Sequence, residues 1–240
     1  MGVSPTNSEG SAALVAVLTG DIVGSSQVKR TDGSLPVDRL RHVADAIREA
    51  WPDALAADVD VFSGDSWQML LARPALGLRV AVFVRASLIG LGEGMDTRLA
   101  IGIGTMSDAP FERVSQADGE AFRLSGRALE TMSQAKGKDA ARMRLKMSAD
   151  HDAFGWDAGA QLLDAIIRNL WTAPRAVAVA GAIRGWNQET ISAQWPEGPI
   201  AQASVSRHLR RAAWGAVEAS TRLFEAGWTH QCSGGMNRQK

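Results

Sequence analysis

Asp21, at the end of the run LVAVLTGD, and Asp65, inside VDVFSGDSWQMLL, are the side chains whose type and placement point most directly to chemistry. Each follows an apolar run that reads as a strand, and each follows a Gly. Both carboxylates are therefore expected where a strand ends and the backbone turns sharply. Hard divalent cations take oxygen ligands, usually one or two carboxylates completed by water and phosphate oxygens. Paired Asp at adjacent strand ends thus suits Mg²⁺ or Mn²⁺ together with a nucleoside triphosphate. Gly-Asp is also ordinary turn chemistry, so it is the combination that carries the expectation.

The second group of interest is the stretch IAQASVSRHLRR, Ile200 to Arg211. At helical spacing Ile200, Ala201, Val205 and Leu209 face a core, which leaves Gln202, Ser204, Ser206, Arg207, Arg210 and Arg211 outward. Ser and Gln can hydrogen-bond base edges, and Arg reaches guanine or phosphate. From Arg175 onward there are eight basic against four acidic residues, so a cationic surface is present locally. The same residues also populate ordinary solvated helix faces.

The elements that must position these groups follow from periodicity. Ala12 to Thr19 is nearly all apolar and rich in β-branched residues, a strand buried on both faces. Leu40, Val43, Ala44, Ile47 and Trp51 mark a helix over Asp38 to Trp51, closed by Pro52. Val59 to Phe62 and Trp67 to Ala72 flank Ser63-Gly64-Asp65-Ser66 as a hairpin. Ala75 to Ile89 is a helix ending at Gly90, and Arg98 to Gly104 is a strand. Phe122 to Met132 reads as a helix and Arg142 to Met147 as an edge strand. Short connections favour an α+β sheet with its helices on one face.

Beyond residues 149–155 the texture becomes helical and holds six of the eight Trp. Leu162, Ile166, Ile167 and Leu170 form one stripe, and Val177 to Ile183 another that ends at Gly185. A short helix at Gln188 to Gln194, a break at Trp195-Pro196-Glu197-Gly198-Pro199 and a helical run from Ile200 to Val217 fit a helix-turn-helix. The expected organisation is a flexible start (1–11), an α+β domain (12–150), a helical domain (156–226) and a flexible tail (227–240).

Composition excludes several classes. The 240 residues are 45% hydrophobic, enough for a substantial core, and 26 basic balance 26 acidic side chains. Any polyanionic partner must then be held by a local patch. One Cys makes no internal disulfide, and no apolar run approaches the ~20 residues that span a bilayer, so a cytoplasmic protein is expected. The four His, at 42, 151, 208 and 230, have no zinc spacing, and no G-x-S-x-G elbow is present. Gly102-Ile103-Gly104 is too short for a dinucleotide fingerprint.

Taken in order, LTGDIVGSS, SGDSWQMLL, and RLAIGIGT with ADGEAFRLSGRAL, followed by the helix-turn-helix pattern, resemble the SatD family over most of the chain. The first half more distantly resembles the catalytic domain of class III nucleotidyl cyclases. That resemblance implies a ferredoxin-like sheet, with two metal ions held by Asp21, the Ile22 carbonyl and Asp65. It also implies that Gly24, Ser25, Ser26 and Gly64 lie around the phosphates. Arg127 takes the position of the arginine that stabilises transition-state charge. The family's adenine-selecting lysine is matched here by Val61, and its asparagine by Arg123, so purine choice and ribose positioning lose support. A homodimer is implied, because such sites form between two chains.

Three functions follow as expectations. The first is a nucleotide-responsive DNA-binding regulator, in which the cyclase-like domain controls a dimeric helix-turn-helix. The second is an active nucleotidyl cyclase or nucleotidyltransferase using two metal ions, with Arg127 and Arg123 in the catalytic positions. The third is a degenerate cyclase-like module that only dimerises.

Overall fold

The structure is a computed structural model that describes residues 14–23, 36–62, 65–92, 94–108, 110–135, 137, 140–148 and 155–235. Within these residues the chain forms a five-stranded open sheet and eight α-helices. The sheet-building half runs β1 (Leu14–Val23), α1 (Pro36–Ala50), β2 (Asp60–Phe62), β3 (Ser66–Leu71), α2 (Gly77–Gly90), β4 (Asp96–Thr105), α3 (Glu120–Gln134) and β5 (Met143–Met147). Its strand order is β2-β3-β1-β4-β5. All neighbours are antiparallel except β4 and β5, which are parallel and joined through α3. As expected from Arg142 to Met147, the last strand lies at an edge.

Alternation along β1 divides the core in two. Ala16, Leu18 and Ile22 point into a large cluster with Leu40 and Ile47 of α1 and Phe83 of α2, whereas Val15 and Val17 pack with Ala121 and Phe122 of α3. The expectation of helices on one face is therefore corrected: α3 covers the second face. The physical reason lies in β4. A Cβ at Gly102 would sit 2.1 Å from the Ala121 carbonyl, and one at Gly104 would sit 2.7 Å from Glu120 Oε2. These glycines let the helix backbone lie directly on the strand.

The helical half continues with α4 (Trp156–Leu170), α5 (Ala173–Ile183), α6 (Gln188–Ala193), α7 (Gln202–Arg211) and α8 (Trp214–Gly235). It shares its core with the sheet, since Ala176, Val179 and Ile183 of α5 belong to the same buried cluster as Leu18, Phe83 and Leu99. That burial explains why α2 is apolar almost all round: it lies between the sheet and α5.

Two boundaries differ from expectation. The run from Ile200 to Val217 is broken at Ala213, whose φ of 55° ends α7 and restarts the chain as α8. α8 then reaches Gly235, past Gly227, where the composition signals a tail. The flexible start (1–11) falls outside the described residues, as do residues 236–240. Among the described residues no helix is long and apolar enough to cross a membrane.

Candidate metal and nucleic-acid sites

Asp21 lies within a strand, which corrects its expected place at a chain reversal. β1 runs on to Val23, and Gly20 is required for packing: a Cβ there would sit 2.5 Å from the Trp67 indole. That indole donates to Thr97 Oγ1 at 3.1 Å, and Thr97 Oγ1 donates to the Asp21 carbonyl at 2.6 Å. The end of β1 is thus locked to both neighbours.

Register sets the backbones of the two predicted metal residues next to one another. Asp21 stands opposite Ser66 on β3, and the Ile22 N–H donates to the Asp65 carbonyl at 3.1 Å. The aspartates therefore occupy adjacent rungs at one end of the sheet. Asp21 is largely buried and its Oδ1 accepts from Arg98 Nε at 2.9 Å, an ion pair that the sequence reading did not anticipate. Ile22 buries its side chain in the core, and Asp65 is half-buried in the turn.

Behind Asp21, Thr19 Oγ1 contacts Ser125 Oγ at 2.9 Å and accepts from Gln68 Nε2 at 3.1 Å. Among the described residues no group of three or more metal-binding side chains converges. The register sets the backbones of Asp21 and Asp65 side by side, while consecutive rungs of a pleated strand turn their side chains to opposite faces. Arg98 already pairs with the Asp21 carboxylate. Gly24, Ser25, Ser26 and Gly64 lie outside the described residues.

α3 presents Ala121, Ser125, Ala128 and Met132 to the sheet and turns Arg123 and Arg127 to solvent. The sequence-predicted arginines are therefore not gathered with Asp21 within one chain. Arg123 pairs with Asp118 at 3.0 Å, an exposed pair of small worth. The Arg127 guanidinium has no partner among the described residues. Val61 is half-buried on β2, and its carbonyl accepts from Arg113 Nη2 at 3.3 Å.

A second charged cluster went unforeseen. Arg85, fully buried on α2, donates to both carboxylate oxygens of Asp96 at 3.0 and 2.7 Å and to Asp164 of α4 at 2.6 Å. Arg142 Nη1 reaches Asp96 at 2.9 Å and Arg168 Nε reaches Asp164 at 3.1 Å. Burial alone pushes Arg85 down, but Asp96 and Asp164 hold it above the usual guanidinium range. Burial likewise pushes Asp96 up, and Arg85, Arg142 and the Thr97 N–H hold it below the usual carboxylate range. A lone Arg in VAVFVRASLIG was the available signal, since an Arg on an all-apolar helix must find carboxylates.

In the helical half, Asn187 caps α6 by accepting from the Thr190 N–H at 2.8 Å. The connection to α7 is pinned to α6: the Ile200 N–H donates to the Ser192 carbonyl at 3.2 Å, and Ser192 Oγ donates to the Ile200 carbonyl at 2.5 Å. Gly198, with φ of 103°, supplies the left-handed residue that this turn needs. Val205 and Leu209 are buried, as expected, whereas Ala201 is exposed because it precedes the helix as its N-cap.

On the opposite side Gln202, Arg207, Arg210 and Arg211 are exposed, and Ser204 and Ser206 are half-buried. None of these three arginines has an acidic partner among the described residues. His208 stacks on Trp195, with centroids 5.5 Å apart and rings 21° from parallel. Burial, then the charges of Arg207, Arg175 and Arg211, push its pKa below the ordinary imidazole value.

In comparison with known proteins, the chain matches no family model and no curated protein.

Proposed function

We propose that the chain is a nucleotide-responsive DNA-binding regulator. The observation that carries this reading is α7, a short helix held by a pinned turn that exposes Gln202, Arg207, Arg210 and Arg211 with no acidic partners among the described residues. Such a helix suits the major groove: Gln202 near its N-terminus faces an adenine edge, and the arginines face guanine or phosphate. The half-buried Ser204 and Ser206 sit at its flanks.

The order β2-β3-β1-β4, with β1 antiparallel to both neighbours, supports a ferredoxin-like, cyclase-like reading of the sheet. It is also consistent with the resemblance to the SatD family. In this reading Asp21, Asp65 and the Ile22 carbonyl hold Mg²⁺ or Mn²⁺, and Gly24, Ser25, Ser26 and Gly64, which lie outside the described residues, are assigned to the phosphates of a nucleoside triphosphate. The cation supplies neutralisation of the triphosphate charge. Nucleotide then alters DNA affinity through the Arg85 cluster and the shared core, which tie the sheet to α4 and α5.

A homodimer is part of the proposal. Leu162, 68% exposed, lines a cavity of about 490 Å³ between α4 and Ser220 of α8, and Leu223 of α8 is 64% exposed, apolar surface that suits self-association. The test of coupling is a titration with Mg²⁺ and each of the four triphosphates, reading both melting temperature and affinity for duplex DNA. Both should shift; if neither does, nucleotide control is abandoned.

One observation favours a second reading, a nucleotidyl cyclase or nucleotidyltransferase. Arg127 is exposed on α3 with no partner among the described residues, as a residue serving a site on a second chain would be. Incubation with each triphosphate and Mn²⁺ should then release pyrophosphate, and Asp65→Ala should abolish that release. No pyrophosphate from any triphosphate excludes catalysis.

A further inference from the structure

At the junction of the two halves a cleft of about 220 Å³ opens between the C-terminal end of α2 and the α5–α6 pair. Its walls include Ser87 and Leu91 on one side and Val177, Arg184, Trp186 and Gln194 on the other. The local sequence builds it. Gly185, with φ of 89°, ends α5 by donating to the Ala182 carbonyl at 2.9 Å, and Trp186 N–H donates back to the Gly181 carbonyl at 3.2 Å. This left-handed cap folds the Trp186 ring under the guanidinium of Arg184, 3.7 Å from ring centroid to Cζ, with Phe83 at 5.6 Å on another side.

Arg184 is held in place yet unsatisfied. Its Nε donates to the Ala180 carbonyl at 3.0 Å, and its two terminal nitrogens meet no acceptor among the described residues. Desolvation is the largest influence on it, lowering its pKa, and Glu49 opposes this only through space, without an ion pair. A half-buried guanidinium with two free nitrogens has the fork that fits a carboxylate. Apart from Ser87 and Gln194 the remaining lining is apolar, and Leu91 at the rim is 46% exposed.

We propose that this cleft binds a small monocarboxylate with an aryl or branched-alkyl body, distinct from the nucleotide and DNA sites. The carboxylate pairs with Arg184, the Gln194 amide and the Ser87 hydroxyl add hydrogen bonds, and the apolar body lies against Trp186, Leu91 and Val177. A single guanidinium balances one negative charge, which selects a carboxylate over a phosphate dianion. Because the walls come from α2 and from the helices that lead to α7, an occupant bridges the two halves.

Phenylacetate is the probe, titrated into the full chain with detection by Trp186 indole N–H shifts and by melting temperature. Saturable shifts and a raised melting temperature are expected. The neutral isostere 2-phenylethanol should bind at least ~10-fold more weakly, since it loses the charge-assisted pair. Arg184→Met should weaken phenylacetate by ~10-fold or more, and Ser87→Phe, which fills the cleft from the opposite wall, should abolish binding without touching Arg184. No saturable shift, equal affinity for the alcohol, or full binding by both variants overturns the site. Displacement by inorganic phosphate at equal concentration overturns the assignment to a carboxylate.

Discussion

The end of β1 and the surface of α7 both carry charge, and they handle it in opposite ways. Asp21 is answered from within by Arg98, its register partner on β4. Arg207, Arg210 and Arg211 are answered by nothing among the described residues. A site that satisfies itself gives a cation or nucleotide a competitor to displace, so its occupancy is conditional. A surface that leaves its charge in water is ready for a polyanion at all times, and salt is its main opponent. Under the proposed function, this contrast would give a constant affinity on one side and a switchable one on the other.

The largest expected effect lies where the two regions meet. Arg85→Met takes the buried cation from Asp96 and Asp164 and leaves them only Arg142 and Arg168 at the periphery, and breaking such a cluster typically costs ~3–5 kcal/mol. Because both halves share one core, urea unfolding should remain a single transition with a lowered midpoint. Two separate transitions would show that the regions stand apart and would break the comparison.

Next in size is Gln202→Ala, which removes a proposed base contact from the start of α7. It should cost ~1–3 kcal/mol on the preferred sequence and little on random duplex. A uniform loss on both would reassign Gln202 to the phosphate backbone.

The third prediction concerns the anchoring of α4 to the sheet edge by Asp157. Burial pushes its carboxyl up, but bonds from Arg144, the Leu145 N–H and Lys146 hold it at about 2, against an ordinary 3.8. A lowered folded pKa contributes stability that is present above the unfolded value and is lost as pH falls through the folded one. Asp157→Asn should therefore cost ~1–2 kcal/mol at pH 7, and the gap to wild type should close between pH 4 and pH 2. A gap that persists at pH 2 would mean that the asparagine disturbs packing and not charge.

The smallest effect is the most informative about the sheet site. Arg98→Met removes the internal competitor, so Mn²⁺ binding followed by electron paramagnetic resonance should strengthen about a few-fold. Unchanged or weaker binding would mean that Asp21 is no ligand.

The sequence made local periodicity legible and left most partnerships hidden. Val205 and Leu209 at helical spacing marked the buried side of α7, and Gln202 and its arginines the outer one, because both depend only on neighbours along a helix. Gly20 reads as a turn residue by sequence, whereas its constraint is Trp67 on another strand. Gly102 and Gly104 owe their place to α3, which packs on β4 only in three dimensions. Asp164 lies 79 residues from Arg85, so no spacing rule joins them. The break at Ala213 carried no Gly or Pro to announce it.

The central claim is that α7 binds DNA through charge it does not satisfy internally. Fluorescence anisotropy of a labelled duplex, with wild type and the triple variant Arg207→Ala, Arg210→Ala, Arg211→Ala compared over a range of salt, tests it most directly. The account predicts binding that weakens linearly on a log–log plot and a triple variant that loses ~100-fold or more at low salt, with a slope shallower by roughly one per lost phosphate contact. Equal affinity and equal slope for the two proteins would contradict it.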